Sequence, residues 1–520
     1  FIPARQASMA SVLSIATMLQ EPKDRNVHLQ TALRWGSFGY INPFIRYRQK
    51  ISGKLTLSTS GEYTYAENNY PFTLHNVALV TKERRTNSRM NSGHGEIDLR
   101  WHPDASSQWW TKFYYYDNDR QLPGQVRYYT NASGEQLRDR NAFAQVDGII
   151  RNRQGNLSLK VNGKFNWASS IYHDQLYPNG VKDASYWQRE YYGSACLLYT
   201  PSACWAFDYS ADGAVNNLNS SLSTDTHPYR YTFLQSATAR YNDNRWTVLA
   251  RLLYSLYVNR AHGGEAGKNM RRLSPSLSLA YHLLQDKDLY LRFSYKNIFR
   301  APNFNESYYY HYGSTDLDPE ITNQLNLGIT WKGQLCHCLT GEILVDGYYN
   351  KIKDMIVAVP YNMFVWTNIN VGQVSTAGYE ITLKGNYKLS PRQQIVLSAG
   401  YSYQRAANHT DKKSEYYGNQ IAYIPFYSGN SSIAWENPWV NIVVHGTGMS
   451  SRWTNNEHYE GTKVNGFWEM GITVYKTISW MRKQWNIRFD LRNMFNHQYE
   501  IVSHYPMPGI SYQMTLNMSF

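Results

Sequence analysis

The 520-residue sequence predicts an all-β fold, a transmembrane antiparallel up-and-down β-barrel of about 22 strands. Three observations predict it. Period-2 segments follow one another from about residue 27, short and long connections alternate between them, and the composition is aromatic-rich but poor in charge.

Aromatic residues make up 15% of the chain, with 45 tyrosines, and charged residues only 18%, where about a quarter is usual in soluble domains. Mean hydropathy is −0.57, and no stretch approaches the roughly 18 unbroken apolar residues of a membrane helix. This excludes helical spans but not a barrel, whose strands alternate and average out as hydrophilic. The net charge of +13 is spread along the whole chain, with no basic cluster and no nucleic-acid motif, so no nucleic acid is expected as a partner. A charged lumen, with anionic lipid head groups outside, accounts for the charge.

The last segment shows the alternation best. Ile510, Tyr512, Met514, Leu516, Met518 and Phe520 are interleaved with Ser511, Gln513, Thr515, Asn517 and Ser519. One face is apolar and the other polar, as in a strand between two unlike environments. Leu289, Leu291, Phe293 and Tyr295 repeat it against Arg292, Ser294 and Lys296. Leu325, Leu327, Ile329 and Trp331 do so against Gln324, Asn326 and Thr330, and Ile395, Leu397, Ala399, Tyr401 and Tyr403 against Ser398, Ser402 and Gln404.

Turn residues mark short connections, as at Ser52-Gly53-Lys54, His102-Pro103-Asp104, Arg153-Gln154-Gly155-Asn156, Thr200-Pro201-Ser202, Asn242-Asp243-Asn244, Ser390-Pro391-Arg392 and Glu436-Asn437-Pro438. Long connections are expected near 67–90, 117–140, 169–184, 214–228, 259–271, 300–319, 352–364, 405–420, 452–464 and 496–509; the one near Gly36–Tyr40 is short for its set. In an up-and-down barrel every second connection emerges on the same side, which yields this alternation. A propeller or sandwich does not. Trp109-Trp110, Tyr114-Tyr115-Tyr116, Trp480 and Trp485 sit near strand ends, where a membrane barrel carries its interfacial girdle.

The four cysteines form two close pairs. Cys196 and Cys204 flank the Thr200-Pro201 turn, and a cross-strand disulfide between them is expected in an oxidising compartment. Cys336-His337-Cys338 lacks the second ligand pair of a zinc site and reads as a turn with two thiols. The start, Phe1-Ile2-Pro3-Ala4-Arg5, is not a signal peptide, and a preceding segment is expected.

Several motifs together resemble the TonB-dependent outer-membrane transporters. Phe299-Arg300-Ala301-Pro302, an aromatic loop and Leu317-Asp318-Pro319-Glu320 resemble the family's F-R-A-P … L-x-P-E stretch. Leu491-Arg492-Asn493-Met494-Phe495-Asn496, Tyr499 and Tyr505-Pro506-Met507-Pro508-Gly509 are similar to its signature before the last strand, and Phe520 to its assembly signal. Ile2-Pro3-Ala4-Arg5 through Ile15-Ala16-Thr17 resembles the end of the family's plug domain, although Gln6-Ala7-Ser8-Met9 and Ala10–Ser14 stand where glycines are usual. The resemblance implies a plug remnant at 1–19 and a barrel at 20–520. The rest of the plug, and the segment that contacts the TonB–ExbB–ExbD complex, would precede them.

The resemblance also implies a function: energised uptake of a scarce, bulky small molecule across the outer membrane of a Gram-negative bacterium. Leu122-Pro123-Gly124, Tyr128-Tyr129, Asn141–Gln145, and Phe304–Tyr308 through Gly313–Leu317 resemble cobalamin-receptor-like members. An iron–siderophore or haem receptor is the alternative, and a passive porin the alternative of another class. His311 lies where haem receptors carry a histidine, but Leu317-Asp318-Pro319-Glu320 replaces their N-P-N-L. Outer-membrane lipid is an expected partner and a surface lipoprotein a candidate one. No hydrolytic triad, carboxylate pair, phosphate loop or cofactor motif stands out, so neither catalysis nor a cofactor is expected. Amphipathic aromatics on loops suit ligand capture, which selects Tyr308, Tyr309, Tyr310, His311 and Tyr312, then Tyr128 and Tyr129.

Overall fold

Hydrocarbon offers no water to the edge of a sheet, so a sheet that crosses a membrane must close on itself. Here Gln30–Gly36 of the first strand pairs with Gln513–Ser519 of the last. The computed structural model describes residues 2–8, 27–76, 79–126, 133–174, 183–222, 226–284, 287–309, 313–360, 366–481 and 483–520. Its main sheet has 22 strands, each antiparallel to its sequence neighbours, from Val27–Gly36 paired with Tyr40–Lys50 to Lys483–Arg492 paired with Ser511–Ser519. No described helix is long and apolar enough to cross a membrane.

Successive connections therefore emerge on opposite rims. The Ser52, His102 and Thr200 turns share one rim, and the connections 67–89, 122–134 and 301–319 share the other. Several strands run past their expected ends. Ser107–Gln121 and Glu135–Arg151 take up much of 117–140, and Leu339–Pro360 and Trp366–Ser390 pair as far as Pro360↔Trp366. Beyond the lipid both faces of a sheet meet water, so polar residues such as Asp117, Asn118, Asp119 and Lys353 stay in the ladder without alternation and read as loop.

The burial pattern is inverted relative to a soluble protein. Leu325, Leu327 and Ile329 are 41%, 57% and 50% exposed, whereas Ser210, Ser236 and Ser255 are buried in the lumen. Luminal charges pair across strands: Arg292 with Asp346 at 2.9 Å, Lys112 with Glu96 at 2.6 Å, and Arg34 with Glu62 at 3.0 Å. Outward aromatics gather beside the short turns, among them Trp101, Trp205, Trp246, Trp435 and Trp480, and Trp480 packs against Trp485 at 5.7 Å. Gly148 faces Trp109 across the ladder, where a Cβ would fall 2.5 Å from the indole. Tyr115 faces outward as expected of a girdle. Tyr114 departs from it and stacks between His94 and Phe143 on the luminal side, because neighbours on a strand must face opposite ways.

The expected disulfide between Cys196 and Cys204 is not formed; both thiols are free. Cys196 lies within the strand Asp183–Tyr199, opposite Ser210, and its buried thiol points at the carbonyl of Ile2. Cys204 lies at the turn just before Trp205–Ser220. The pairing Tyr199↔Phe207 sets a register that leaves Cys196 several residues up the wall from Cys204. Equal spacing about a turn did not make them partners.

On the terminal strand Tyr512 is 52% exposed and Thr515 6%, which places the apolar set in lipid. Leu516→Arg should therefore destabilise the barrel by about 2–4 kcal/mol, and Asn517→Arg, facing the lumen, by far less. Urea unfolding in lipid vesicles reads the difference; equal losses would reverse the assignment of faces.

Candidate ligand-capture site

The long-loop rim is built around the segment 301–319. Asn303 caps the short helix Phe304–Tyr308 reciprocally: its side chain accepts from the Glu306 N–H, while Glu306 accepts from the Asn303 N–H. Arg300 then uses both arms of its guanidinium. Nε donates to Glu320 at 2.5 Å and Nη1 to Glu306 at 2.9 Å, so one residue joins both feet of the loop to its helix. From the neighbouring wall, Arg230 donates to the Pro302 carbonyl at 2.6 Å and to Asn259 at 2.8 Å, with its guanidinium 5.3 Å from the Phe304 ring. The F-R-A-P … L-D-P-E motif is thus a clamp in this chain.

Of the residues selected from the sequence, Tyr308 and Tyr309 belong to this packed loop. Tyr309 stacks on Tyr186 with centroids 3.9 Å apart and planes 9° apart, and burial pushes its phenol above the usual tyrosine range. The Tyr308 hydroxyl accepts the Gly267 N–H at 2.7 Å. Both rings line the apolar cluster of Ala184, Tyr186, Leu218 and Phe304. Tyr310, His311, Tyr312, Tyr128 and Tyr129 lie outside the described residues.

A second aromatic group, not selected from the sequence, joins the connections 409–426 and 450–466. The Tyr416 and Tyr459 hydroxyls meet at 2.9 Å, which pushes the Tyr416 phenol up to about 12. Trp453 and His458 stack at 4.6 Å. Glu415-Tyr416-Tyr417 carries a tyrosine pair as Tyr128-Tyr129 does, and that pair could have flagged it; the single Tyr459 carries no such signal. Arg452, 2% exposed, donates to the carbonyls of Glu500 and Ile501 and so ties this pair to 493–510. That last loop is pinned in turn by Asn493, whose amide donates to the His497 and Pro508 carbonyls. A Cβ on Gly509 would strike Asn496 at 2.1 Å. Tyr70 donates to Pro506, and Val126 to His504, which extends the chain of contacts to 67–89 and 122–134.

Below the loops lies a 330 Å³ cavity lined by Glu190, Tyr192, Asp212, Arg230, Phe304 and the N-terminal helix residue Arg5. The helix Ala4–Ser8 is held there by Asp212, which accepts the Ala4 and Arg5 N–H groups at 3.1 and 2.7 Å, and by an Arg5–Glu190 ion pair at 2.8 Å. A 980 Å³ hollow along the adjoining wall is lined by Arg292, Asp346, Tyr348, Glu380 and Gln404. Among the described residues no group of His, Cys, Asp and Glu could hold a metal ion. The rim offers flat aromatic faces, backbone groups and charges of both signs, which suits recognition of a bulky amphipathic molecule.

A family model described as "TonB dependent receptor-like, beta-barrel" matches residues 35–494. Among solved structures, the copper transporter OprC superposes with a TM-score of 0.76 at 14% identity, covering 95% of this chain and 80% of that one. The FrpB iron transporter from Neisseria meningitidis (F5-1 variant) superposes at 0.77 with 12% identity, covering 96% and 83%. The siderophore receptor PiuA from Acinetobacter baumannii does so at 0.75 with 11% identity, covering 96% and 82%. At these identities the likeness is one of fold.

Arg300→Met keeps the side-chain length and removes the fork, leaving Glu306 and Glu320 to repel each other. Because Arg300 is partly exposed, the expected cost is screened to roughly 1–2 kcal/mol, falling on the loop. Limited proteolysis should cut within 301–319 while the barrel keeps its urea midpoint, with Arg300→Lys intermediate. Undiminished protection of the loop would show that the clamp is dispensable.

Proposed function

This chain belongs to the TonB-dependent receptor-like β-barrel family, outer-membrane receptors of Gram-negative bacteria that work with the TonB–ExbB–ExbD complex, and from that premise we propose that it imports a bulky metal chelate of the siderophore class. The family is one of transporters, not enzymes, and membership replaces the passive-porin alternative. The observation that carries the chelate reading is Arg230. It lines the cavity beneath the loops while its hydrogen bonds go to neutral acceptors, Asn259 and the Pro302 carbonyl. Its charge is thus available to an anionic ligand, and the stacked tyrosines above suit flat, partly apolar groups. The structural neighbours, a copper transporter, an iron transporter and a siderophore receptor, support the same class.

Cobalamin is the second reading. It is supported by the motif resemblance at Leu122-Pro123-Gly124, a stretch tied into the rim where Asn87 donates to Leu122 and Arg85 to Pro123. Under either reading, the aromatic run Tyr308–Tyr312 with Tyr128 and Tyr129 meets the ligand, and the Tyr416–Tyr459 pair is added to it. Residues 1–19 are read as the end of the plug and 20–520 as the barrel; the docking of Ala4–Ser8 on Asp212 supports this. Outer-membrane lipid would meet the outward apolar face, and a surface lipoprotein would seat on the long-loop rim.

In cells making the intact gene product, a ferric siderophore should accumulate saturably, and dissipating the proton-motive force should abolish uptake while binding persists. Arg230→Gln should weaken binding about ten-fold, close to 1.4 kcal/mol, with the barrel still folded. Energised uptake of cobalamin without any siderophore would replace the ligand and keep the mechanism. Uptake unaffected by the proton-motive force would overturn the mechanism itself.

A further inference from the structure

The turn that joins Glu320–Cys336 to Leu339–Pro360 lies on the short-turn rim, which in an outer-membrane barrel faces the periplasm. The pairing Cys336↔Leu339 leaves only His337 and Cys338 to make the turn, with a register shift between Gln334 and Cys336 just before it. Both thiols are free and their sulfurs lie 3.0 Å apart. The turn is held from the next strand, where the Lys388 N–H donates to the Cys338 carbonyl at 2.8 Å. Cys336 is exposed, and its hydrogen bond from the Cys338 thiol moves it below the usual thiol range. Of the four cysteines, these two are the pair whose sulfurs meet, whereas Cys196 is buried against the lumen.

We propose that Cys336 and Cys338 form an intramolecular disulfide in the periplasm, a covalent clasp across the hairpin turn that thiol reductants open. The chemistry is thiol–disulfide exchange with a periplasmic protein disulfide as oxidant. The Cys336 thiolate, having lost its proton, attacks one sulfur of that disulfide, forming a mixed disulfide and expelling a thiolate. The Cys338 thiolate then attacks Cys336 Sγ, closing the Cys336–Cys338 bond and releasing the second donor sulfur. The two protons and two electrons lost by this chain are those gained by the oxidant, which leaves as a dithiol. His337 does not turn the site into a metal centre, since no metal-holding group of three such side chains exists among the described residues.

The test uses the protein purified from outer membranes, quenched in acid, unfolded, and alkylated with iodoacetamide before and after reduction. Peptide mass spectrometry should show the Cys336–Cys338 peptide two hydrogens lighter and unalkylated until reductant is added, while Cys196 and Cys204 alkylate at once. In Cys338→Ser, Cys336 should become alkylable without reductant, which separates intramolecular closure from mere inaccessibility. Full alkylation of both sulfurs before reduction would overturn the proposal. So would an adduct or a cross-linked dimer at either position, or protection that a chelator lifts and a reductant does not.

Discussion

A β-strand in hydrocarbon can satisfy its N–H and C=O groups only with another strand, and the first and last strands of this chain have only each other. Their seam is finished at both ends by single backbone bonds: Ser37 N–H to the Tyr512 carbonyl at 2.9 Å, and Phe520 N–H to the Leu29 carbonyl at 2.8 Å. Once that ladder is shut, each strand has one face in lipid and one in the lumen. The alternation of residues, the inverted burial and the placement of charge inside all follow. An even strand number also brings Val27 and Phe520 to the same rim and leaves every long loop on the other.

The loops on that far rim behave as one structure because a few buried polar side chains reach between them. Arg300 closes the feet of its own loop, Arg230 ties that loop to the wall, and Arg452 and Asn493 do the same for the loops opposite. Most of their acceptors are backbone carbonyls, which loops supply wherever they go. This gives a rim whose shape is set by arginines and asparagines, with Tyr308 and Tyr309 packed among them.

How much of this was legible in the sequence depended on which environment wrote the pattern. Where lipid faced lumen, as at Ile510–Phe520 or Leu325–Trp331, alternation marked the strand and its faces. Above the lipid the contrast vanished, so Lys353 and Ile356 read as loop although they are paired. The cysteines misled for a related reason. Symmetry about Thr200 said nothing of register, and Cys196 proved to face Ser210. Within the site, the motif at Phe299–Pro302 drew attention to the loop that Arg300 clamps. Tyr308 and Tyr309 also pack that loop against Gly267 and Tyr186, and Arg230 looked like any strand residue. Its importance comes from meeting Pro302, 72 residues away, which no local signal encodes.

The tallest part of the wall is the hairpin of Leu339–Pro360 and Trp366–Ser390, strands of 22 and 25 residues, whereas the first hairpin has strands of 10 and 11. At about 3.3 Å per residue and a tilt near 40°, this difference lifts one side of the mouth roughly 30 Å above the other. The opening is therefore oblique, like a scoop with a high back. A solute approaching along the membrane surface from that side meets the high wall before it meets the lumen. Shortening the hairpin to the length of the first would level the mouth.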